Sequence, residues 1–218
     1  MRLSELSAQS GVSIATIKFY LREGLLPPGE RLSASRAEYN DVHLRRLRLV
    51  RALIQVGGMS VARTKDVLSA AEDDSLDQHQ RFGAAQSALL GDQGPEVAAL
   101  QPGEKARATV DELLEEVGWG ECRGYPAYWM LVGAVASLER LGYPSDLAHL
   151  RPYASAAAPL AVFDLGVIGE YPPGEAQLEA VVALTVLNEP VLLALRRIAH
   201  AYVSGRTFSA GTGEGAAG

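Results

Sequence analysis

A short segment near the N-terminus combines cationic, hydroxyl and small side chains at a spacing suited to DNA contact. Lys18 and Arg22 are four residues apart, so on a helix they lie one turn apart on one stripe. An α-helix fits the major groove of B-form DNA, where its N-terminal residues reach base edges and its cations contact phosphates. The segment predicts a DNA-recognition helix with the contact residues Ser13, Ala15, Thr16, Lys18, Tyr20 and Arg22.

Two short helices joined by a tight turn would position that segment. Leu3 and Leu6 have helical spacing, and Gly11 followed by Ser13 supplies a turn and an N-cap for a new helix. The second helix is predicted over residues 14–23, with Gly24 ending it in the left-handed conformation. This arrangement is a helix-turn-helix (HTH).

A wing and two further helices are predicted to follow. The run LLPPG after Gly24 stops any helix, because proline lacks an N–H and restricts the residue before it. The polar stretch over residues 30–39 favours a two-stranded ribbon, in which Arg31 and Arg36 are candidate phosphate contacts. Apolar stripes then predict one helix from residue 41 to the Gly57-Gly58 pair and another, capped by Ser60, to about residue 70. The arginines of the third helix are expected mainly to form a solvated face: Arg45, Arg46, Arg48 and Arg51.

The charge of the 218-residue chain is unevenly distributed. The net charge is −6, yet residues 1–70 contain eleven Lys or Arg against six Asp or Glu, and the remainder contains nine against twenty. A basic first third joined to an acidic remainder is expected when one end binds a polyanion. Charge alone leaves open a chance imbalance between two ordinary surfaces.

Three strings in this region resemble a known family. GVSIATIKFYLREGLLPP, AEYNDVHLRRLRLVRAL and QVGGMSVARTKDVL, in that order, are similar to the N-terminal DNA-binding domain of the mercury-resistance-regulator (MerR) family of bacterial transcription regulators. The wing departs from the family's Gly-Tyr-Arg-x-Tyr, since Ser35-Arg36-Ala37-Glu38-Tyr39 stands there and moves the arginine by one position. Phe19 also replaces a frequent tyrosine, and Lys18 a usual arginine.

The resemblance implies how such a protein works. Family members bind a near-palindromic promoter site as homodimers and deform the spacer so that RNA polymerase can engage it. We therefore expect double-stranded DNA, a second copy of the chain and RNA polymerase as partners. The family's dimers usually pair through a long helix after the DNA-binding domain.

The rest of the chain predicts a mainly α protein. The expected division is a winged HTH domain over residues 1–70, a linker with a short dimerisation helix over 71–95, a helical effector- or partner-binding domain over 96–205, and a disordered tail over 206–218. Interruptions are predicted near Pro152, Pro159 and Pro190. Because the connecting helix is short, dimer contacts are expected to extend beyond it.

An aromatic cluster in the second region has two interpretations. Both tryptophans and two tyrosines fall within eleven positions: Trp119, Tyr125, Tyr128 and Trp129. Such rings line pockets for planar or drug-like effectors, because they combine large apolar faces with a polar handle. They also build ordinary helical cores. On that interpretation the second domain recruits a protein partner and binds no small molecule.

No catalytic, metal or cofactor site is expected. The four histidines lack ligand spacing, and Cys122, the single cysteine, cannot form a cysteine metal set or an internal disulfide. The longest uninterrupted apolar runs, such as residues 180–187, are far below the ~20 residues of a membrane span. A cytoplasmic, non-enzymatic protein is the resulting expectation.

Overall fold

The computed structural model describes residues 1–33, 36–73, 75–90 and 103–208, and these confirm a mainly α fold with an N-terminal HTH and wing. In chain order the elements are α1 (Leu3–Ser10), α2 (Ile14–Glu23), β1 (Glu30–Ser33), β2 (Arg36–Glu38), α3 (Asp41–Gln55), α4 (Val61–Ala71), α5 (Gln78–Leu90), α6 (Glu104–Glu116), a 3₁₀ turn (Gly120–Gly124), α7 (Pro126–Arg140), α8 (Leu147–Gly169) and α9 (Glu175–Phe208).

The first hydrophobic core joins the HTH to α3 and α4. Leu6, Ile17 and Leu47 are fully buried in it. The same core includes Ala85 of α5 and Val182 of α9, which lie far outside residues 1–70. The DNA-binding unit is therefore completed by helices from later in the chain.

A second core forms between α6, α7 and the first half of α8. Its buried side chains include Val110 of α6, Val132 and Val135 of α7, and Leu150 and Ala154 of α8. The predicted helices of this region are thus present. The core they build is separate from that of the DNA-binding unit.

The interruptions predicted at the prolines are wrong. α8 continues through Pro152 and Pro159, and α9 continues through Pro190. A proline inside a helix removes one N–H donor and costs ~3 kcal/mol, but the hydrogen bonds on either side of it can still continue the helix. Burial of neighbours such as Ile168 and Val186 favours the intact helices.

The predicted tail and the predicted linker both lie partly outside the described residues. The predicted tail begins at residue 206, whereas α9 extends to Phe208; residues 209–218 lie outside the described part of the chain. α5 covers Gln78–Leu90 within the predicted linker, and residues 91–95 of that linker lie outside the described part, so the expected shortness of the connecting helix stays a prediction.

α8 and α9 are unusually apolar for helices with so little burial. By length and composition alone, Leu147–Gly169 and residues 176–207 are long and apolar enough to cross a membrane, with mean hydropathies of 1.3 and 1.8. The expectation that no span exists counted only uninterrupted apolar runs, whereas these helices carry occasional charges. In this structure the first half of α9 packs on the DNA-binding unit through Val182 and Val186.

Candidate nucleic-acid interface

The predicted recognition helix is α2, and its boundaries are those expected from the sequence. The Thr16 N–H donates to Ser13 Oγ at 3.1 Å, which caps the first turn. Gly24 ends the helix in the left-handed region with φ 77°. Ile17, fully buried, and Tyr20 anchor the inner face against the first core. The opposite face is left exposed.

Most of the predicted contact residues lie on that exposed face. Ser13, Ala15, Lys18 and Arg22 are exposed, and Thr16 is half-buried with its hydroxyl 2.8 Å from that of Ser13. The structure thus brings a hydroxyl pair at the N-terminus of α2 together with two cations further along the helix. That this face reads the major groove stays a prediction.

Tyr20 differs from the other predicted contact residues, because it is only 8% exposed and belongs to the core. Burial raises the pKa of its hydroxyl, and the positive charge of Arg51 partly opposes that shift. Its ring tilts against Phe19 with 5.9 Å between centroids. Tyr20 holds α2 in place from beneath.

Arg22 already has local partners. Its Nε lies 3.4 Å from Glu23 Oε1, and its guanidinium lies 5.3 Å from the centroid of the Phe19 ring. Both partners are on α2, and Arg22 is exposed. A phosphate approaching this helix would compete with Glu23 for the same guanidinium.

The wing follows α2 and is tied to the N-terminus. Strands β1 and β2 pair antiparallel, with Glu30 opposite Glu38 and Arg31 opposite Ala37. Arg31 is exposed, and the backbone of Arg36 begins β2. The Met1 ammonium donates to the Tyr39 carbonyl at the base of the wing.

Two arginines of α3 donate hydrogen bonds to backbone carbonyls of the HTH region, a role that the sequence did not predict. Arg46 is only 9% exposed; its Nε donates to the Leu25 carbonyl at 3.0 Å and it forms an ion pair with Glu72. Arg51 Nη1 donates to the carbonyl of Ser10 at 3.4 Å and to that of Gly11 at 3.3 Å. The expectation of a solvated arginine face is wrong for Arg46, because α3 turns that position towards the loop after α2. The carbonyl partners are distant in sequence, so residue spacing gave no signal of these bonds.

Comparison with known proteins places this geometry in a family. The sequence profile of the MerR HTH family regulatory proteins matches residues 1–71. The candidate transcriptional regulator SCO5550 of Streptomyces coelicolor A3(2), known from a crystal structure, is 45% identical, with 95% of this chain and 98% of that chain covered and a TM-score of 0.72. The chain belongs to the MerR family.

A curated relative supports the same assignment over a shorter stretch. An HTH-type transcriptional regulator, the ZntR homolog of Haemophilus influenzae (strain ATCC 51907 / DSM 11121 / KW20 / Rd), is 36% identical over 50 residues. That stretch is 23% of this chain, and it spans only 37% of the relative. This MerR-family protein is a DNA-binding regulator of transcription.

Three of the four aromatic residues of the predicted effector site lie in or against the second core: Trp119, Tyr128 and Trp129. Tyr128 is buried and its hydroxyl donates to Asp111 Oδ1 at 3.1 Å. The half-buried Trp129 ring meets that of Tyr128 edge-on at 5.0 Å, and the Arg107 guanidinium lies 4.7 Å from the centroid of the Trp129 ring. Trp119 packs on the same core. Tyr125 lies instead against Gly83 of α5. A Cβ atom added to that glycine would be 3.4 Å from the Tyr125 ring.

A cavity of about 460 Å³ lies elsewhere in this MerR-family protein, between α5, α8 and α9. Its walls are mainly apolar, and the polar residues that line it are Gln86, Asp164, Thr185, Asn188 and Glu189. Asn188 donates to Asp164 Oδ1 at 2.9 Å, and burial raises the pKa of Glu189. None of the four predicted effector-site aromatics lines this cavity.

Proposed function

We propose that the protein binds a near-palindromic promoter site as a homodimer, with one α2 in the major groove of each half-site. The observation that carries the proposal is the exposed face of α2, where Ser13, Thr16, Lys18 and Arg22 project from a helix anchored by buried Ile17. One HTH reads few base pairs, so two copies supply the site length that specific binding needs.

The proposed contacts divide into base reading and backbone binding. Ser13, Ala15 and Thr16 are at the N-terminus of α2, the end that reaches base edges in this motif. Lys18, Arg22, Arg31 and Arg36 contact phosphates. Lys18 replaces the family's usual arginine, and because lysine lacks the planar fork that pairs with guanine, it adds affinity more than base choice. Tyr20 acts mainly from the core side of the helix.

Transcriptional control would come from deformation of the promoter. Untwisting or bending the spacer between half-sites costs free energy that depends on the spacer sequence. The contacts between protein and DNA would offset this cost, and the deformed spacer would have a geometry that RNA polymerase engages. The chain would act in the cytoplasm, where bacterial DNA and polymerase are found.

A small-molecule effector would bind the helical C-terminal unit at the aromatic cluster. Trp129 and Tyr125 are only partly buried, so a planar ligand could stack on them without dismantling the second core. Displacement of Arg107 from the Trp129 face would be the local change on binding.

A second candidate function is recruitment of a protein partner without any small molecule. The observation in its favour is the large exposed apolar surface of α8 and α9, which a partner protein could cover. A compound panel screened by thermal shift separates the two, because an effector stabilises the folded protein when it binds.

The decisive experiment is selection of duplexes from a random double-stranded DNA library by the purified protein, followed by footprinting. We expect enrichment of two inverted half-sites with protection on one face of the duplex, and a solution mass about twice the 23.2 kDa of one chain. A single unrepeated half-site, or no sequence enrichment, would contradict the homodimer proposal.

A further inference from the structure

Ile14 is an apolar residue exposed at the first position of the recognition helix. Its side chain is 41% exposed, although isoleucine is among the residue types most often buried. Single exposed apolar side chains are common on protein surfaces, so exposure alone assigns Ile14 no function. Its position on α2 is more informative, because of the residues that share its side of the helix.

Ile14 lies on the same stripe of α2 as the two cations. Ile14, Lys18 and Arg22 follow one another at steps of four residues, and all three are exposed. Side chains on a helix tilt towards its N-terminus. If Lys18 and Arg22 contact phosphates as proposed, Ile14 is therefore the side chain of this stripe that lies nearest the base edges.

The usual structural role of an apolar residue at a helix start belongs to other side chains. A hydrophobic staple pairs the residue before the N-cap with the fourth residue of the helix, and in α2 these are Val12 and Ile17. Both are buried members of the first core. Ile14 follows the N-cap residue Ser13, so it takes no part in that pair.

The hydroxyl groups beside Ile14 are already hydrogen-bonded within the chain. Ser13 Oγ accepts the Thr16 N–H at 3.1 Å and lies 2.8 Å from Thr16 Oγ1. These bonds use part of the small hydrogen-bonding capacity of each hydroxyl. The exposed side chains of Ile14 and Ala15 carry no polar group, so the N-terminus of α2 offers the DNA a mainly apolar surface.

The major groove has an apolar feature that such a surface can recognise. Of the four bases, thymine alone carries a methyl group, at C5 in that groove. We propose that Ile14 reads a thymine methyl group in each half-site and is a specificity-determining residue of this regulator. The proposal rests on the proposed function, which places α2 in the major groove, and it adds the base that the helix selects.

The first test removes the methyl group from the DNA. Uracil differs from thymine only in lacking the C5 methyl, so uracil is exchanged for each thymine of the selected operator in turn, and affinity is measured by fluorescence anisotropy. Loss of one buried methyl contact should weaken binding about fourfold, and its loss from both half-sites about fifteenfold. A selected half-site without thymine, or equal affinity for uracil at every position, overturns the proposal.

The second test removes the apolar side chain from the protein. Ile14→Ser should bind the thymine and uracil operators equally well, whereas Ile14→Val keeps two methyl groups and should retain the preference for thymine. Val56→Ser is the matched control, because Val56 is 62% exposed on the same DNA-binding unit but lies at the end of α3. The control should keep the full preference. An undiminished preference in Ile14→Ser assigns the methyl contact to another residue and overturns the proposal.

The outcomes separate this proposal from the proposed function itself. Library selection that enriches no inverted half-sites refutes both. Inverted half-sites that bind equally well with uracil refute only the role of Ile14. Because Ile14 is exposed, Ile14→Ser should keep the wild-type melting temperature, and the uracil exchange with the wild-type protein gives a result even if that variant fails to fold. A folded Ile14→Ser variant that binds more weakly but keeps the thymine preference places Ile14 against the DNA backbone, which also overturns the proposal.

Discussion

The Lys18→Ala substitution tests the recognition helix at the point where its geometry is most explicit. The Lys18 side chain is exposed on α2, while the neighbouring Ile17 is fully buried, so removing the amine should leave the fold intact. The expected effect is therefore on DNA binding alone.

The magnitude follows from counterion release. Each phosphate contact contributes about 0.9 to the slope of log affinity against log salt, and a dimer loses the contact twice, so the slope should fall by roughly 1.8. Between 50 and 200 mM salt, a fourfold change, that difference corresponds to about a tenfold smaller loss of affinity for the variant than for the wild type. Because Lys18 is assigned to backbone binding, the loss should be nearly uniform across operator sequences.

The assay is fluorescence anisotropy of a labelled operator titrated at several salt concentrations. Lys105→Ala is the matched control, since Lys105 is an exposed lysine on α6 and its Nζ lies 3.4 Å from Glu139. The control should keep the wild-type slope. If Lys18→Ala also keeps it, then α2 does not bind the phosphate backbone in the proposed orientation. If the affinity falls only for operators that carry one particular base pair, then Lys18 reads that base and does not contact the backbone.

Three further outcomes are expected. Glu23→Gln should tighten DNA binding several-fold and steepen its salt dependence, because it frees Arg22 and removes a negative charge facing phosphate; unchanged affinity would place Arg22 away from the DNA. Arg46→Met should lower the free energy of unfolding by about 2 kcal/mol in urea denaturation, because the Leu25 carbonyl loses its donor, and a loss below ~0.5 kcal/mol would make that bond dispensable. Trp129→Ala should abolish the thermal shift produced by an effector while lowering the melting temperature only slightly; a stability loss of ~3–5 kcal/mol with no effector found returns this ring to the core.

The HTH was predictable because its signals are local. α2 begins after Ser13 and ends before Gly24, as their capping chemistry predicts. An N-cap hydroxyl and a left-handed glycine both act within one turn of the chain. Asn40 and Ser60 cap α3 and α4 in the same way. The exposure of Lys18 and Arg22 followed from the position of buried Ile17, which fixes the inner face.

Residues whose role depends on distant partners were not predictable in that way. Arg46 and Arg51 look like ordinary surface arginines in sequence, but their acceptors are carbonyls more than twenty residues away that become available only after the chain folds. Ala85 and Val182 gave no sign that they would complete the first core, because apolar periodicity identifies a buried face without identifying what covers it.

The prolines of α8 and α9 show that a local sequence rule can also predict a break that does not occur. A local rule predicted breaks at Pro159 and Pro190, yet each helix continues, so the cost of one missing N–H is outweighed by what the intact helix packs against. Within one chain that packing accounts for the first half of α9, through Val182 and Val186, but not for the second half, where Val191, Leu195 and Ile198 are exposed. α9 nevertheless continues through Pro190 as one helix. The packing that stabilises α9 within one chain therefore lies before the proline, and the helix after it continues without such packing.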